Sequence, residues 1–557
     1  MLFITDRQVK GGGFRMVSGD IKRINLSISS FQQMIEGGFL YIDKTRLIEN
    51  FLNTASSVQL VVRQRRLGKS LNIDMLRCFL TDKEDNRHLF KNLYIENSIV
   101  WDKINSVPVF YFNFKSLKLG NYKQVLYDIV SEHIETYCSD TKLSKLTRRY
   151  LSDDNFDDTK GLYYLIESVF RATGKRSYIL IDEYDSMLMD NYKSSEYKEI
   201  REFEKAFLEE GLKDNRYLEK ALLTGVMRVS HESMLSGLNN LVTYDVFMDD
   251  VYKNDYGLTN SEIEELRTLA SLDVDELRKW YNGVKISGQE IYNIYSVMSF
   301  LTRKKYECYW GKSGTMNMIS DKLNEGRQET IKKLLNGEYV SVSIEDKISL
   351  ENFASDIGDE AFYSFLVQAG YLALDNTKIS ANNTVTVSIP NTELMLVWKR
   401  FIFANLFSDA PNFRTLFDNS NNPILFAKDI EYFLQDRLSI HDLSVYKSEN
   451  AEKVYEKIYH TFVLGLLSGY EDTKCPRPLS NRESGDGRYD ILVQRPTENY
   501  IFEFKSCSEN EDLLKHAEKA LNQINTKRYG ADLTDGKPLV KIGIAVCGKR
   551  CRVVCGC

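Results

Sequence analysis

The feature that most constrains the fold of this chain is a short apolar run followed closely by glycine, lysine and serine. Residues 58–62 predict a buried strand, and residues 69–80 predict a helix. Gly68, Lys69 and Ser70 lie where that helix begins. In a strand–loop–helix unit of this kind, the N–H groups of the loop and of the helix N-terminus face a bound phosphate. The sequence therefore predicts a phosphate-binding loop on a parallel α/β sheet.

Each position of this loop has an expected role in binding ATP and Mg²⁺. Lys69 neutralises charge on the β- and γ-phosphates, and Ser70 places its hydroxyl on Mg²⁺. Arg63 stands where a glycine usually begins the motif, so the generic pattern is incomplete. We predict that Arg63, Arg66, Gly68, Lys69 and Ser70 bind the nucleotide. The alternative is an ordinary strand-to-helix turn.

An acidic pair at the end of a second apolar run supplies the other half of such a site. Residues 178–181 predict a buried strand, and Asp182 and Glu183 follow it directly. Asp182 can hold Mg²⁺ directly or through water, and Glu183 can polarise the attacking water as a general base. A strand end followed by an acidic turn is the plain alternative.

A second group of ionisable residues lies near the C-terminus. Glu503 and Lys505 lie on one strand and point to the same face, because side chains alternate along a strand. Asp490 lies on the preceding predicted strand. Asp490 and Glu503 can bind Mg²⁺ while Lys505 positions and activates water, and the repulsion between the two carboxylates predicts at least one raised pKa. A solvated strand face with a cross-strand ion pair is the alternative.

In this order, the motifs resemble those of AAA-ATPase-like proteins that carry a C-terminal PD-(D/E)XK nuclease domain. The matching segments are 39–45, 63–71, 181–185, 223–226, 237–241, 280–283 and 291–296, then 487–490, 503–505 and 520–529. An arginine usually occupies the first loop position in this family, so Arg63 fits. Gln64, Leu67 and Ile294 depart from the pattern, because proline, phenylalanine and proline are usual there.

The resemblance implies three further site residues. Thr224 follows an apolar strand, where related ATPases place a polar sensor of the γ-phosphate, although a core-edge residue is an alternative. Gln523 lies in the segment that matches the accessory helix of the nuclease and is assigned to its catalytic site. Glu456 and His460 resemble the opening helix of the nuclease and share one helical face. Glu456 either completes the metal site or is a solvated helix residue.

The chain has 557 residues, which is too long for one hydrophobic core. We expect an α/β multidomain protein with an N-terminal extension over 1–25 and a P-loop domain with a parallel sheet over 26–256. A mainly helical lid or linker region over 257–425 follows, and a restriction-endonuclease-like α/β domain covers 426–557.

Composition narrows the function less than the motifs do. The net charge of −6 gives no support of its own to a nucleic-acid partner. No apolar run is long enough to span a bilayer, and the N-terminus lacks a secretory pattern. The cysteines are odd in number and scattered, which favours a reducing compartment. We therefore expect a cytoplasmic protein without a membrane partner.

The sequence predicts an ATP-hydrolysing enzyme coupled to a Mg²⁺-dependent nuclease. Nucleic acid is the expected partner, with DNA as the substrate, and a homo-oligomer is compatible with the family. The competing hypothesis is a regulatory or scaffold protein, in which the ATPase is a slow nucleotide switch and the nuclease fold binds nucleic acid without cleaving it.

Overall fold

The computed structural model divides the chain into two compact units, Met1–Val397 and Trp398–Cys557. It describes residues 17–18, 23–138, 143, 145–152, 158–228, 237–286, 288–310, 318–319, 322–335, 337–345, 357–375, 383–406, 423–437, 455–456, 459–460, 462–464, 467, 478–508, 510–548 and 550–556. The domain boundaries expected from the sequence stay predictions.

A five-stranded parallel sheet forms the centre of the first unit. A short antiparallel pair, β1 (Val17–Ser18) and β2 (Tyr41–Ile42), precedes it in the chain. The sheet strands are β3 (Val58–Val62), β4 (Val109–Asn113), β5 (Ser177–Asp182), β6 (Leu218–Gly225) and β7 (Leu241–Tyr244). They lie in the order β4-β5-β6-β3-β7, and all neighbours run parallel. The carboxyl ends of β3, β5 and β6 therefore meet at one edge, which is where ligands bind in open α/β sheets.

Burial explains why these segments are strands. Every residue of β3 and of β5 is buried, as expected for central parallel strands that are covered on both faces. The flanking helices are Phe31–Glu36, Arg46–Asn53, Lys69–Leu80, Tyr122–Tyr137, Lys145–Ser152, Gly161–Thr173, Ser186–Asn191 and Tyr197–Leu212. The predicted parallel α/β domain is confirmed.

The region that follows is mainly helical, as predicted, and also contains two small antiparallel sheets that the sequence did not reveal. Its helices are Asn260–Ala270, Val274–Tyr281, Ile294–Arg303, Glu325–Leu335, Asp359–Gln368 and Thr392–Leu406. One sheet has the order β8 (Leu258–Thr259), β10 (Gln289–Tyr292), β9 (Asn282–Ile286), and the other has the order β11 (Val340–Ser343), β13 (Thr384–Ser388), β12 (Ala373–Leu374). These strands are too short to produce a recognisable alternating pattern.

The second unit contains a five-stranded mixed sheet whose strands are neighbours in chain order. They are β14 (Leu479–Ser484), β15 (Gly487–Gln494), β16 (Asn499–Ser506), β17 (Leu539–Cys547) and β18 (Arg550–Gly556). Only β16 and β17 pair in parallel, and the helix Leu513–Thr526 connects them. The strands predicted to carry Asp490 and to carry Glu503 and Lys505 are β15 and β16, and the helix predicted to carry Gln523 is Leu513–Thr526, whereas the two outer strands were not predicted.

Helices cover both faces of this sheet. The helix Pro423–Arg437 and the described residues between 455 and 467, all helical, pack on the face that carries Phe502 and Phe504. The helix Leu513–Thr526 packs on the opposite face, where Gly543 allows close approach because a Cβ there would collide with the carbonyl oxygen of Ala517. None of the described helices is both long and apolar enough to cross a membrane.

Candidate nucleotide and metal sites

The loop between β3 and the next helix has the backbone conformation that a phosphate loop requires. Gly68 lies at φ 89°, directly before the helix that begins at Lys69. Glycine adopts this left-handed conformation without steric cost, whereas most residues are strained there. Arg66 also has a positive φ, of 66°. The loop therefore turns sharply into the helix N-terminus.

The ammonium of Lys69 is enclosed by the loop. Its Nζ donates hydrogen bonds to the carbonyl oxygens of Arg63, at 2.8 Å, and of Gln64, at 3.0 Å. Burial lowers the pKa of Lys69, and nearby carboxylates, led by Asp182, oppose this effect. The cation thus lies between the loop and the acidic end of β5, as the sequence predicts for a residue that binds phosphate.

Asp182 offers one buried oxygen to a cation. Its Oδ1 accepts hydrogen bonds from the hydroxyl of Thr224, at 2.6 Å, and from the N–H of Glu183, at 3.1 Å. Its Oδ2 is buried and has no hydrogen-bond donor among the described residues. An unpaired buried carboxylate oxygen is costly, and Mg²⁺ or a water on Mg²⁺ would satisfy it. Asp182 therefore fits the predicted metal role.

Glu183 has the geometry of a strained functional residue. Its φ is 52°, which is uncommon for a residue with a side chain, and strained residues of this kind cluster at active sites. Its side chain is 28% exposed, and its Oε1 lies 3.9 Å from the Nζ of Lys115. The carboxylate is therefore accessible to a water molecule, as a general base must be.

A cavity of about 680 Å³ adjoins the loop and Glu183, whereas Asp182 and Thr224 are not among its lining residues. Its polar lining includes Arg66, Gly68, Lys69, Ser70 and Glu183. Its apolar lining includes Ile24, Leu26, Ile28, Leu40, Ile42, Ile294 and Met298. A mostly apolar cavity of roughly 300–1,000 Å³ with a few convergent polar groups is typical of small-molecule sites. The volume of the cavity and its combination of polar and apolar lining residues suit a nucleotide.

The predicted nuclease residues gather on β15, β16 and the helix that follows. The Nζ of Lys505 donates to Oε1 of Glu503 at 3.0 Å, and the amide of Gln523 donates to the same oxygen at 2.5 Å. Asp490 accepts the N–H of Phe504 with its Oδ2 at 2.7 Å. The second oxygen of Glu503 is buried and has no hydrogen-bond donor among the described residues. Lys505 and Gln523 thus satisfy one oxygen of Glu503 and leave its second oxygen without a donor, while Asp490 lies on the neighbouring strand.

Both carboxylates of this group resist ionisation. Burial raises the pKa of Glu503 to about 7, the carboxylate of Asp490 adds to the rise, and Lys505 opposes it. Burial also raises the pKa of Asp490. The raised pKa expected from the sequence is therefore present. Its main cause is burial, and the repulsion between the carboxylates comes second.

Two family models match the chain. Residues 25–235 match the AAA-ATPase-like family, described as a predicted AAA-ATPase, and residues 454–555 match the PD-(D/E)XK nuclease superfamily. The resemblance stated from the motifs is confirmed. A relative from Azotobacter chroococcum mcd 1, described as an uncharacterized protein in the vnfD 5' region, is 25% identical over 551 residues, covering 94% of this chain and 96% of the relative.

In the AAA-ATPase-like domain, Arg63 has contacts that differ from those predicted. Its side chain is fully buried, forms an ion pair with the equally buried Asp249, and lies over the ring of Tyr256. Its Nη1 also donates to the carbonyl oxygens of Val62, at 2.8 Å, and Tyr244, at 3.3 Å. In this structure, Arg63 supports the loop from inside the domain, because its side chain has no exposed surface and is not among the residues that line the cavity described above.

The middle region covers the outer side of the phosphate loop. Nη1 of Arg66 donates to the carbonyl oxygen of Tyr309 at 2.5 Å, and its guanidinium lies 4.1 Å from the ring centre of Tyr295. The N–H of Gly257 donates to the carbonyl oxygen of Leu67 at 2.9 Å. Gly370 has φ 84°, and a Cβ there would overlap the side chain of Gln64. Arg66 is therefore partly engaged by protein groups while it lines the cavity.

In the segment that matches the nuclease superfamily, Glu456 lies near the predicted site, but its carboxylate bonds to Ser506. Its Oε2 accepts hydrogen bonds from the N–H and the hydroxyl of Ser506, at 3.1 and 3.2 Å. A ring nitrogen of His460 lies 3.2 Å from the carbonyl oxygen of Asp490. Within the described ranges, no three His, Cys, Asp or Glu side chains form a ready metal-binding group. A metal ligand role for Glu456 stays a prediction.

Sequence reasoning missed several residues that shape the nucleotide site. Asp185 accepts the N–H groups of Val226, at 2.8 Å, and Met227, at 2.7 Å, and burial raises its pKa to about 6. It thereby fixes the chain just after Thr224. Its position three residues after Asp182 was the available signal. For Asp249 the sequence offered none, because its partner Arg63 is 186 residues away.

Proposed function

We propose that this protein is an ATP-hydrolysing enzyme coupled to a Mg²⁺-dependent nuclease that cleaves phosphodiester bonds of DNA. One observation carries the proposal. Each predicted metal site contains one buried carboxylate oxygen, Asp182 Oδ2 or Glu503 Oε2, that no described group satisfies. Buried carboxylates are normally paired. Among the described residues, the carboxylates with an unsatisfied buried oxygen are Asp182, Glu503 and Glu204, and the first two lie at the predicted sites, which favours cation binding there.

The AAA-ATPase-like domain supplies the groups for hydrolysis of ATP. Lys69 and the N–H groups of the loop bind the phosphates, and Mg²⁺ held by Ser70 and Asp182 would neutralise the charge of the triphosphate. Glu183 accepts a proton from the attacking water while the oxygen of that water bonds to the γ-phosphorus. The bond to the bridging oxygen breaks, and ADP leaves with the electron pair.

The nuclease domain supplies the groups for cleavage. Asp490 and Glu503 would hold Mg²⁺, which typically binds one or two carboxylates together with substrate phosphate and water. A metal ion held by these carboxylates would lower the pKa of the nucleophilic water and stabilise charge on the phosphate. Lys505 orients the water or faces the developing negative charge, and Gln523 holds the carboxylate of Glu503 in place.

A nucleotide-switch scaffold remains the second candidate, because the acidic net charge of −6 disfavours strong binding to nucleic acid. In that case, the ion pair between Lys505 and Glu503 is structural. We propose a cytoplasmic location for either function, and a homo-oligomer is compatible with both.

The deciding experiment measures cleavage of plasmid DNA and of single-stranded DNA by the full chain, in Mg²⁺ or EDTA, with and without ATP. We expect cleavage in Mg²⁺ and none in EDTA. The Glu503→Gln variant is the matched control, because it removes one ionised oxygen and keeps the side-chain shape. Equal cleavage by this variant, or none by the wild type on any substrate, contradicts the nuclease proposal.

A further inference from the structure

The cavity beside the phosphate loop is also lined by a lysine that the motifs did not single out. Lys115 lies on a helical turn, Phe114–Ser116, directly after β4. The side chain of Asn113 accepts the N–H of Lys115 at 3.0 Å, and Phe114 and Leu117 are buried on either side. The backbone of the turn is therefore held in place while the side chain of Lys115 lines the cavity.

The position of Lys115 follows from the order of the strands. Asn113 and Asp182 are partners in the β4–β5 register, so the turn after β4 lies beside the acidic end of β5. The ammonium of Lys115 lies 3.9 Å from Oε1 of Glu183, and the lysine side chain is 67% exposed. An exposed ion pair of this kind is weak, so the ammonium can turn toward another anion at little cost.

The charges around the cavity suggest which anion the ammonium of Lys115 would bind. Lys69 lies on the loop side, where the β-phosphate binds in a phosphate loop. A γ-phosphate adds negative charge between the loop and Glu183, and that charge repels the carboxylate unless a cation is near. Lys115 lines the cavity on the Glu183 side, so it can meet a third phosphate there.

We infer that Lys115 determines specificity for ATP over ADP, by providing from within the same chain the positive charge that binds the γ-phosphate. The inference rests on the proposed nucleotide site and goes beyond it, because it names the group that recognises the third phosphate. It also means that this recognition needs no residue from a second copy of the protein.

The test compares binding of two nucleotides by the full chain in Mg²⁺, measured by calorimetry: ADP and the non-hydrolysable adenosine 5′-(β,γ-imido)triphosphate. We expect Lys115→Met to weaken binding of the triphosphate by roughly ten- to hundredfold and to leave ADP binding within about twofold. Lys115→Arg keeps the charge and should keep most of the preference.

Lys103→Met is the matched control, because Lys103 is similarly exposed, at 58%, lies 3.9 Å from a carboxylate, and is not among the residues lining the cavity. It should leave both affinities unchanged. An unchanged ratio of the two affinities in Lys115→Met overturns the inference. So does a preference that grows with protein concentration, since a second copy would then supply the charge. Failure of the wild type to bind either nucleotide refutes the nucleotide site itself.

Discussion

The hydroxyl of Thr224 donates a hydrogen bond to Oδ1 of Asp182 across 2.6 Å, although 42 residues separate the two in the chain. The contact exists because β6 lies between β3 and β5, so its carboxyl end adjoins the acidic end of β5. The bond occupies Oδ1 and leaves Oδ2 for a cation. Thr224 therefore holds one oxygen of the Asp182 carboxylate in place, and its direct contact with the γ-phosphate stays a prediction.

Replacing Lys69 with alanine should weaken ATP binding by about ten- to hundredfold or more, because a charge-assisted contact with phosphate is lost. Calorimetry with the non-hydrolysable triphosphate measures the change. Circular dichroism serves as the control for folding, because Lys69 is buried and donates to two loop carbonyls. A folded Lys69→Ala protein with wild-type affinity would show that the loop does not bind phosphate.

The Glu183→Gln variant should bind ATP with nearly wild-type affinity and hydrolyse it at least about a hundredfold more slowly, because the amide cannot accept the proton of the attacking water. Phosphate release under saturating ATP measures hydrolysis. Glu199→Gln is a suitable control, since Glu199 lies on the exposed side of a helix and does not line the cavity. Turnover by Glu183→Gln at the wild-type rate excludes Glu183 as the general base.

Asp490→Ala should abolish Mg²⁺-dependent cleavage and leave ATP hydrolysis measurable, because the two sites lie in different compact units of the chain. The Lys505→Ala variant should still bind Mg²⁺ but should not cleave the nucleic acid. Cleavage of a labelled oligonucleotide and phosphate release, measured on the same preparations, separate the two activities. Undiminished cleavage by Asp490→Ala means that another site or a contaminant is responsible.

The affinity for Mg²⁺ at the nuclease site should fall as the pH drops through about 7. Protons then compete for Glu503, whose pKa is raised to about 7 by burial. Without metal, Glu503 is protonated in the folded state but ionised in the unfolded state between about pH 4.5 and 7. The free energy of unfolding should therefore decrease as pH rises through this window, by at most about 3 kcal/mol.

Unfolding in urea from pH 5 to pH 8, with EDTA or with Mg²⁺, tests this pH dependence. The Glu503→Gln variant isolates the contribution of one residue, because other buried acids titrate in both proteins. With EDTA, the free energy of unfolding should change with pH by different amounts in the wild type and in the variant. Addition of Mg²⁺ should stabilise only the wild type. Parallel curves in EDTA would mean that the Glu503 carboxyl has an ordinary pKa.

Arg63→Met should destabilise the protein by about 3–5 kcal/mol, because it leaves the carboxylate of Asp249 buried without its cation. Adding Asp249→Asn should recover part of the loss, since the amide oxygen can still accept the N–H groups of Val251 and Tyr252. Chemical denaturation of the wild type, the two single variants and the double variant gives the coupling energy between Arg63 and Asp249. Additive effects of the two substitutions would rule out the ion pair as the support of the loop.

How far the sequence predicted the sites depends on how far apart their residues lie in the chain. Asp182 follows an apolar run directly and Lys69 follows one after a short loop, so a local pattern revealed them. Glu503 and Lys505 are two residues apart on one strand, and alternation predicted their common face. The support of Arg63 by Asp249, and the approach of Lys115 to Glu183, depend on tertiary packing that no local pattern encodes.

Residues beyond 256 cover the phosphate loop, and this limits which fragments of the protein can bind a nucleotide on their own. The segment matched as AAA-ATPase-like ends at residue 235, yet Leu67 and Gln64 are buried in part by Gly257 and Gly370. A polypeptide cut at 235 would expose this side of the loop to water and leave Arg66 without Tyr309. The smallest autonomous nucleotide-binding fragment therefore extends well past the matched segment, and shorter fragments should aggregate or fail to bind ATP.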